Sequence, residues 1–366
     1  MDKQTPLYSR HVALGAHIEP FGGYLMPIRY GSVIDEHLVV RKGVGIFDLS
    51  HMGEFRVKGA GALEFLDGLL TNNADIPVGK AFYSAMCYPD AGIVDDLIVY
   101  RLGDDEFLMV VNAANIDKDW AWVMSHTGSF DVRITNESDQ TALVAIQGPK
   151  SQELAALLTT VDLDSVGFYA LARGTVAGRQ AIISRTGYTG EDGFEFYISA
   201  EDAPSVWDAA MKAGEPLGIT PVGLAARDTL RLEVGYVLYG NDIDHSTSPL
   251  EARMGWAVKL SSDKDFVGRD VLRRQKEDGV SRLLVGLTVE GKGVIRHGTE
   301  LFQVDRRIGV VTSGSMAPSL NVVVGLGYVE KACSKAGTKI EAELRGRRIP
   351  VTITRTPFYT AGSRRQ

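Results

Sequence analysis

Ala91-Gly-Ile-Val-Asp-Asp-Leu-Ile-Val-Tyr100 sets two adjacent carboxylates, Asp95 and Asp96, inside an apolar, β-branched run that reads as a buried strand. Burial of an isolated ionised carboxylate is costly unless the group is paired, hydrogen-bonded or neutralised. A strand turns successive side chains to opposite faces, so Asp95 goes with Leu97 and Val99, and Asp96 with Ile98 and Tyr100. The two therefore cannot form a catalytic pair. Two readings stay open: the acidic residues and Gly92 close a hairpin turn by accepting backbone N–H groups, or a carboxylate is displayed in a pocket. Asp95 fits either. Asp96, one residue deeper and followed by apolar and aromatic positions, is the first candidate for chemistry.

Outward from this strand, the pattern predicts strands over Glu54–Val57 and over Phe107–Val111 after the turn Gly103-Asp104-Asp105. It predicts helices over Ile34–Lys42, Ala60–Leu69 and Ile116–Ser125, the last with Asn115 as N-cap. Strands follow over Thr141–Gln147, Gln180–Ser184 and Gly193–Ile198, with helices over Ser151–Leu158 and Ala203–Ala213. There is no strict βαβ rhythm, and the class is α+β. A polar helix over Arg269–Asp278 ends in Lys276-Glu-Asp-Gly279, which places a linker there and divides the chain into a body, 1–278, and a second domain, 279–366. In the second part, strands over Leu283–Val289, Ile308–Thr312, Val323–Val329, Lys339–Leu344 and Arg348–Thr354 are spaced by Gly-rich turns, as in a small antiparallel barrel or sandwich.

Composition narrows the chemistry. A chain of 366 residues exceeds one ordinary core, and 45% hydrophobic with 23% charged residues is typical of a folded protein. The net charge of -7 argues against a nucleic-acid binder, which presents a basic face. Two distant cysteines, Cys87 and Cys333, fit a reducing cytoplasm better than a disulfide framework. No run approaches the ~20 apolar residues of a membrane span, and the start has no signal-peptide core. Gly43-Val-Gly45 and Gly59-Ala-Gly61 lack the third glycine of a dinucleotide fingerprint, no phosphate-binding loop occurs, and the histidines have no metal-ligand spacing. No bound metal is expected.

Two further constellations stand out. Gly187-Tyr-Thr-Gly-Glu-Asp-Gly193 precedes Phe194-Glu-Phe-Tyr-Ile198, where Glu195 faces away from Phe194 and Phe196. Its glycines permit a bend that brings Tyr188 near the start of the strand bearing Glu195, which is either a solvated residue on the outer face or a site acid. In Gly223-Leu-Ala-Ala-Arg-Asp-Thr-Leu-Arg-Leu-Glu233, Arg227 shares the apolar stripe of Leu224 and Leu230. It needs an anion, either an internal carboxylate or that of a ligand.

Phe47-Asp-Leu-Ser-His-Met-Gly-Glu54, Gly92-Ile-Val-Asp-Asp-Leu-Ile-Val-Tyr100, Val111-Asn112, Gln147-Gly-Pro149, Arg185-Thr-Gly-Tyr-Thr-Gly-Glu-Asp-Gly193, Gly223-Leu-Ala-Ala-Arg-Asp228, Leu238-Tyr-Gly240 and Thr312-Ser-Gly314 together make nearly the whole chain resemble the aminomethyltransferases, the T-proteins of the glycine cleavage system. The resemblance implies a folate-binding body of intertwined α+β subdomains around a central channel, plus a C-terminal antiparallel β-barrel. It implies transfer of the one-carbon unit of S-aminomethyl-dihydrolipoyl H-protein to tetrahydrofolate. The products are 5,10-methylenetetrahydrofolate, ammonia and the dihydrolipoyl carrier. Carried over, Asp96 is the key carboxylate, with Asn112 in the same pocket. Glu195 meets the aminopyrimidine edge of the pterin and Arg227 the ligand's polar portion, while Tyr83, Tyr188, Tyr236 and Trp256 are aromatic walls and Arg364 meets the glutamate moiety. Tyr24 stands where the family usually has tryptophan, and Asn321-Val-Val-Val-Gly325 is less typical of the family. Two alternatives share the folate pocket. One is a folate-dependent S- or O-demethylase of a small molecule. The other is a non-enzymatic iron–sulfur maturation factor, against which Asp265-Phe-Val-Gly-Arg-Asp270 lacks the cysteine of the Lys-Gly-Cys-Tyr-type motif.

Overall fold

The computed structural model describes residues 2–261 and 264–365. Its body is built on two sheets interleaved in sequence. The first runs in the order Ala81–Cys87, Ile93–Gly103, Glu106–Val111, Gly53–Lys58, Arg133–Asn136, every neighbour antiparallel. The second runs Leu171–Val176, Arg179–Ser184, Gly193–Ser199, Thr141–Gln147, Gly45–Asp48, Thr220–Pro221. Gly45–Asp48 immediately precedes the first sheet in the chain yet pairs with Thr141–Gln147 in the second, which intertwines the two halves. A small three-stranded sheet joins Lys3–Gln4, Tyr24–Arg29 and His17–Phe21.

The alternation in these strands is what layers the body. One face of the second sheet, with Phe194, Phe196 and Ile198, packs under the helices Ser151–Leu158 and Ala203–Gly214. One face of the first, with Leu97 and Val99, packs under Ala62–Leu69 and Ile116–Ser125. The remaining two faces meet each other: Tyr100, Leu108 and Val110 from one, Phe47, Leu143, Ala145 and Tyr197 from the other, closed by Ala226 and Leu230 of the helix Leu224–Glu233. Polar residues on these inner faces are therefore enclosed rather than solvated. The expected helix over Ala60–Leu69 begins at Ala62, because Gly59, with φ at +132°, belongs to the preceding turn.

The polar helix Arg269–Asp278 ends at Gly279, whose φ of +85° no other residue adopts easily. Beyond it, six antiparallel strands close a barrel in the order Arg282–Val289, Val322–Glu330, Arg306–Ala317, Glu300–Gln303, Lys339–Leu344, Arg347–Thr354. Pairing of Gly286 with Thr354 shuts the ring. The fold is thus the expected interleaved α+β body with a closed antiparallel barrel.

Candidate functional site

A cavity of about 1150 Å³ opens between the facing sheets, the Leu224–Glu233 helix, the first barrel strand and the chain's final segment. Asp96 enters it from the strand Ile93–Gly103 of the first sheet, Glu195 from the second sheet, and Arg227 from the helix. Tyr83, Asn112, Tyr188, Tyr236, Trp256 and Arg364 also line it, so the structure brings together all nine candidate catalytic and folate-binding residues, while Asp95 lies outside.

Asp96 is held on both oxygens. Oδ2 accepts from the Tyr83 hydroxyl at 2.8 Å and Oδ1 from the Asn112 amide at 3.0 Å. Burial, and next the charge of Asp95, raise its pKa to about 7, while the bonds from Tyr83 and Asn112 pull the other way. Tyr83 stacks on Trp256 with centroids 5.4 Å apart and planes 22° apart, and Trp256, 62% exposed, marks the mouth.

Asp95 turns to the core, with 0% exposure, and accepts from the backbone N–H of Asn112 at 3.0 Å, the Asn112 amide at 2.9 Å and the Asn115 amide at 2.6 Å. The turn reading fails for it. The side chain that accepts the Gly92 N–H, at 3.0 Å, is Asp90, because Asp95 already lies within the paired strand. Asn115 occupies the N-cap position without capping, and its Nδ2 donates to Asp95. Strand alternation separates the two aspartates as expected, yet one amide, that of Asn112, touches both carboxylates.

Glu195 is 6% exposed, which overturns the solvated reading: its face is the one covered by the first sheet. It accepts from the hydroxyl of Thr186 at very short range and from that of Tyr100 at 3.4 Å, and Tyr100 in turn meets Tyr197 at 3.1 Å. Burial raises its pKa against these bonds and the field of Arg227. The Arg227 guanidinium lies 4.7 Å over the Tyr188 ring and, among the described residues, has no hydrogen bond or ion pair. Burial lowers its pKa, so its charge is held at a cost and an incoming anion would offset that cost.

The loop before Glu195 has a specific packing reason for its glycines. The Gln147 side chain passes between Gly187 and Gly193, and a Cβ at either would sit 2.1 Å from it. Gln147 donates to the Thr186 carbonyl at 3.1 Å and accepts from Thr189 at 2.9 Å, fixing the loop that carries Tyr188. The Tyr188 hydroxyl bonds the Val237 carbonyl, and its ring leans on Tyr236 at 5.7 Å. Arg364 lies 4.2 Å over Phe168 and 5.4 Å over Tyr236. Its segment is tied down by Ser363, whose N–H and hydroxyl donate to Glu191 at 2.8 and 2.7 Å.

Sequence reasoning passed over the hydroxyls of Tyr100, Tyr197 and Thr186, although alternation already put Tyr100 on the face of Asp96. It also passed over His51, which lines the cavity at 3% exposure with an unpartnered Nδ1 and a pKa lowered by burial to about 4. Among the described residues no group of three or more His, Cys, Asp or Glu is placed to hold a metal ion. The cavity thus offers a carboxylate able to exchange a proton near neutrality, aromatic walls, a buried acceptor and a guanidinium that is within the field of Glu195 but, among the described residues, bonded to no carboxylate.

Comparison with known proteins gives a consistent picture. Residues 7–262 match the family described as GCVT N-terminal domain, and residues 282–360 the glycine cleavage T-protein C-terminal barrel domain. The chain is 48% identical over 359 residues to an aminomethyltransferase of Phocaeicola vulgatus, covering 97% of this chain and 99% of that one. It is 48% identical over 366 residues to that of Thermotoga petrophila, covering 100% of both. The crystal structure of glycine cleavage system aminomethyltransferase T from Bartonella henselae superposes with a TM-score of 0.92 at 36% identity, over 98% of each chain.

Proposed function

The chain belongs to the aminomethyltransferases, the T-proteins of the glycine cleavage system, and from that premise we propose that its cavity binds tetrahydrofolate and receives the S-aminomethyl-dihydrolipoyl arm of the H-protein. The observation that carries this reading is the placement of Asp96, bonded by Tyr83 and Asn112, in the same cavity as Glu195 and the Arg227 guanidinium.

In this reading the pterin's adjacent N–H donors meet Glu195, and Arg227 meets a polar, electron-rich portion of the folate. Tyr188, Tyr236, Tyr83 and Trp256 bound its rings, with Arg364 toward the glutamate. The two folate nitrogens each form a bond to the methylene carbon as its C–S bond and its bond to the amino nitrogen break. The two folate N–H protons leave with the thiol and the ammonia, so 5,10-methylenetetrahydrofolate, ammonia and the dihydrolipoyl carrier balance the atoms. Cationic, iminium-like character on the carbon is stabilised by ionised Asp96. With its pKa raised to about 7, the same group can take a proton from folate nitrogen and return it to a leaving group. The division into a body, 1–278, and a barrel, 279–366, and a cytoplasmic location belong to the same proposal. No helix of the described residues is long and apolar enough to cross a membrane.

The test is to mix the protein with tetrahydrofolate and aminomethylated H-protein and to measure methylenetetrahydrofolate and ammonia. Both products are expected in equal amounts. Their absence, with turnover of a methylated small molecule instead, would replace this reading by a folate-dependent demethylase.

A further inference from the structure

Asp119, on the helix Ile116–Ser125, is a carboxyl group outside the cavity, with 0% exposure. Neither of its oxygens meets an N–H or O–H donor, and its side chain lies against that of Asp95. The neighbouring cation, Lys118 Nζ, stands 3.9 Å away and directs its hydrogens to the Val94 carbonyl and to the Tyr239 hydroxyl at 2.9 Å. Two ionised carboxylates in contact inside a dry core repel each other strongly, and a proton between them turns that repulsion into a hydrogen bond.

The two partners are unequal. Asp95 already accepts three N–H bonds, from the Asn112 backbone and the Asn112 and Asn115 amides, whereas Asp119 accepts none. The charge therefore belongs on Asp95 and the proton on Asp119, whose O–H completes the roughly four lone-pair sites of the Asp95 carboxylate.

We propose that Asp119 is a protonated positioning residue: its O–H donates to Asp95, the pair carries a single negative charge, and that charge acts on Asp96, which shares the Asn112 amide with Asp95. This deepens the proposed function, because it makes the buried pair the device that keeps Asp96 able to exchange a proton near neutrality. Burial, and then the Asp95 charge, push Asp119 up to about 11, with Lys118 acting in opposition. The other ionisable groups facing Asp119 are Asp96, Tyr88 and Tyr239. Those facing Asp96 are Asp95, Tyr83, Lys118, Tyr169 and Tyr188.

The experiment is a carboxyl-carbon NMR titration of the ligand-free protein, with signals assigned by their loss in Asp119→Asn and Asp96→Asn. The Asp119 signal should stay at the protonated position from about pH 6 to about pH 9. Asp119→Asn keeps a donor to Asp95 and the single charge, so the Asp96 midpoint should remain within about 0.3 unit of wild type. Asp119→Ala removes the donor, lets Asp95 take up a proton, and should lower the Asp96 midpoint by at least about 0.5 unit. The acid limb of kcat/KM for transfer should follow the same order, with the Asn variant restoring what the Ala variant loses.

Thermal stability supplies a second measurement where Asp119→Ala fails to fold. A folded-state pKa above the unfolded value stabilises below the unfolded pKa and loses that contribution as pH rises. The Tm of Asp119→Asn should therefore gain on wild type progressively between about pH 6 and about pH 9. An ionised Asp119 signal, a fall of the Asp96 midpoint by a unit in Asp119→Asn, or a Tm difference that does not grow with pH would each overturn the proposal. The NMR and Tm readouts require no reaction, so they stand or fall separately from the transferase reading.

Discussion

Asp96 holds its position at the expense of stability. Its pKa is raised on folding, so the neutral form's contribution is present at acid pH and is lost as pH rises through about 7. Asp96→Asn should therefore fold with a Tm at or above wild type at pH 8, bind tetrahydrofolate with little change, and lose transfer by about a hundredfold or more. Its kcat/KM profile should lack the acid limb near 7, and retained full activity would remove Asp96 from the chemistry. Asp95→Asn tests the neighbouring residue, since removing a charge beside Asp96 should shift that limb downward rather than abolish turnover. Glu195→Ala and Arg227→Ala should each weaken tetrahydrofolate by about ten- to a hundredfold in calorimetry, with kcat less affected. Unchanged affinity would refute those roles. At this scale the sequence was informative where charge and periodicity conflict. Asp96 stood out because a strand side chain has only two directions, and Arg227 because a cation shared a leucine stripe. Glu195 could be read either way, because a strand does not reveal what covers its second face.

Among elements, those with a clean period were legible. Thr141–Gln147, Ser151–Leu158, Ile116–Ser125 and Lys339–Leu344 are found with the expected limits. Ala81–Cys87, which carries Tyr83, went unassigned: Ala-Phe-Tyr-Ser-Ala-Met-Cys is buried on both faces but for one half-buried tyrosine, and has neither alternation nor β-branched residues. Leu171–Val176 was obscured for a different reason: it is largely half-exposed, and Arg173 and Gly174 interrupt its apolar pattern. The Gly187–Gly193 loop shows what its composition concealed, namely that two glycines make room for Gln147 rather than for a bend alone. Gly187→Ala should lower stability by about 1–3 kcal/mol in denaturant unfolding. It should also weaken tetrahydrofolate binding, through displacement of Tyr188. The same substitution at Gly31, where φ is likewise not positive and a Cβ meets nothing within 4 Å, provides a control without the clash.

Across the molecule, body and barrel are joined by buried charge. Arg231, 1% exposed, donates to Asp242 at 2.6 Å and to Ser313 of the barrel at 2.8 Å, while Thr312 donates to the other oxygen of Asp242 and the Tyr328 hydroxyl reaches the Asp242 carbonyl at 2.9 Å. Asp242→Ala leaves Arg231 buried without its main counter-charge and should cost about 3–5 kcal/mol. Denaturant unfolding measures this loss, which should depend little on salt because the pair is shielded from solvent. The link to the barrel was not legible from spacing, since the barrel partners lie 70 to 86 residues away in the chain. The barrel itself was legible, as its strands and turns are local.

Interleaving also has a consequence for biosynthesis. Gly45–Asp48 leaves the ribosome well before Thr141–Gln147, the strand it must pair with, while the five strands between them can already zip together. Until its partner arrives, that short segment exposes unsatisfied backbone groups and the apolar side chains of Ile46 and Phe47, a temporary invitation to the wrong neighbour. Synonymous changes that stall translation between Asn136 and Thr141 should therefore lower the yield of correctly assembled protein without altering a single contact in the finished fold.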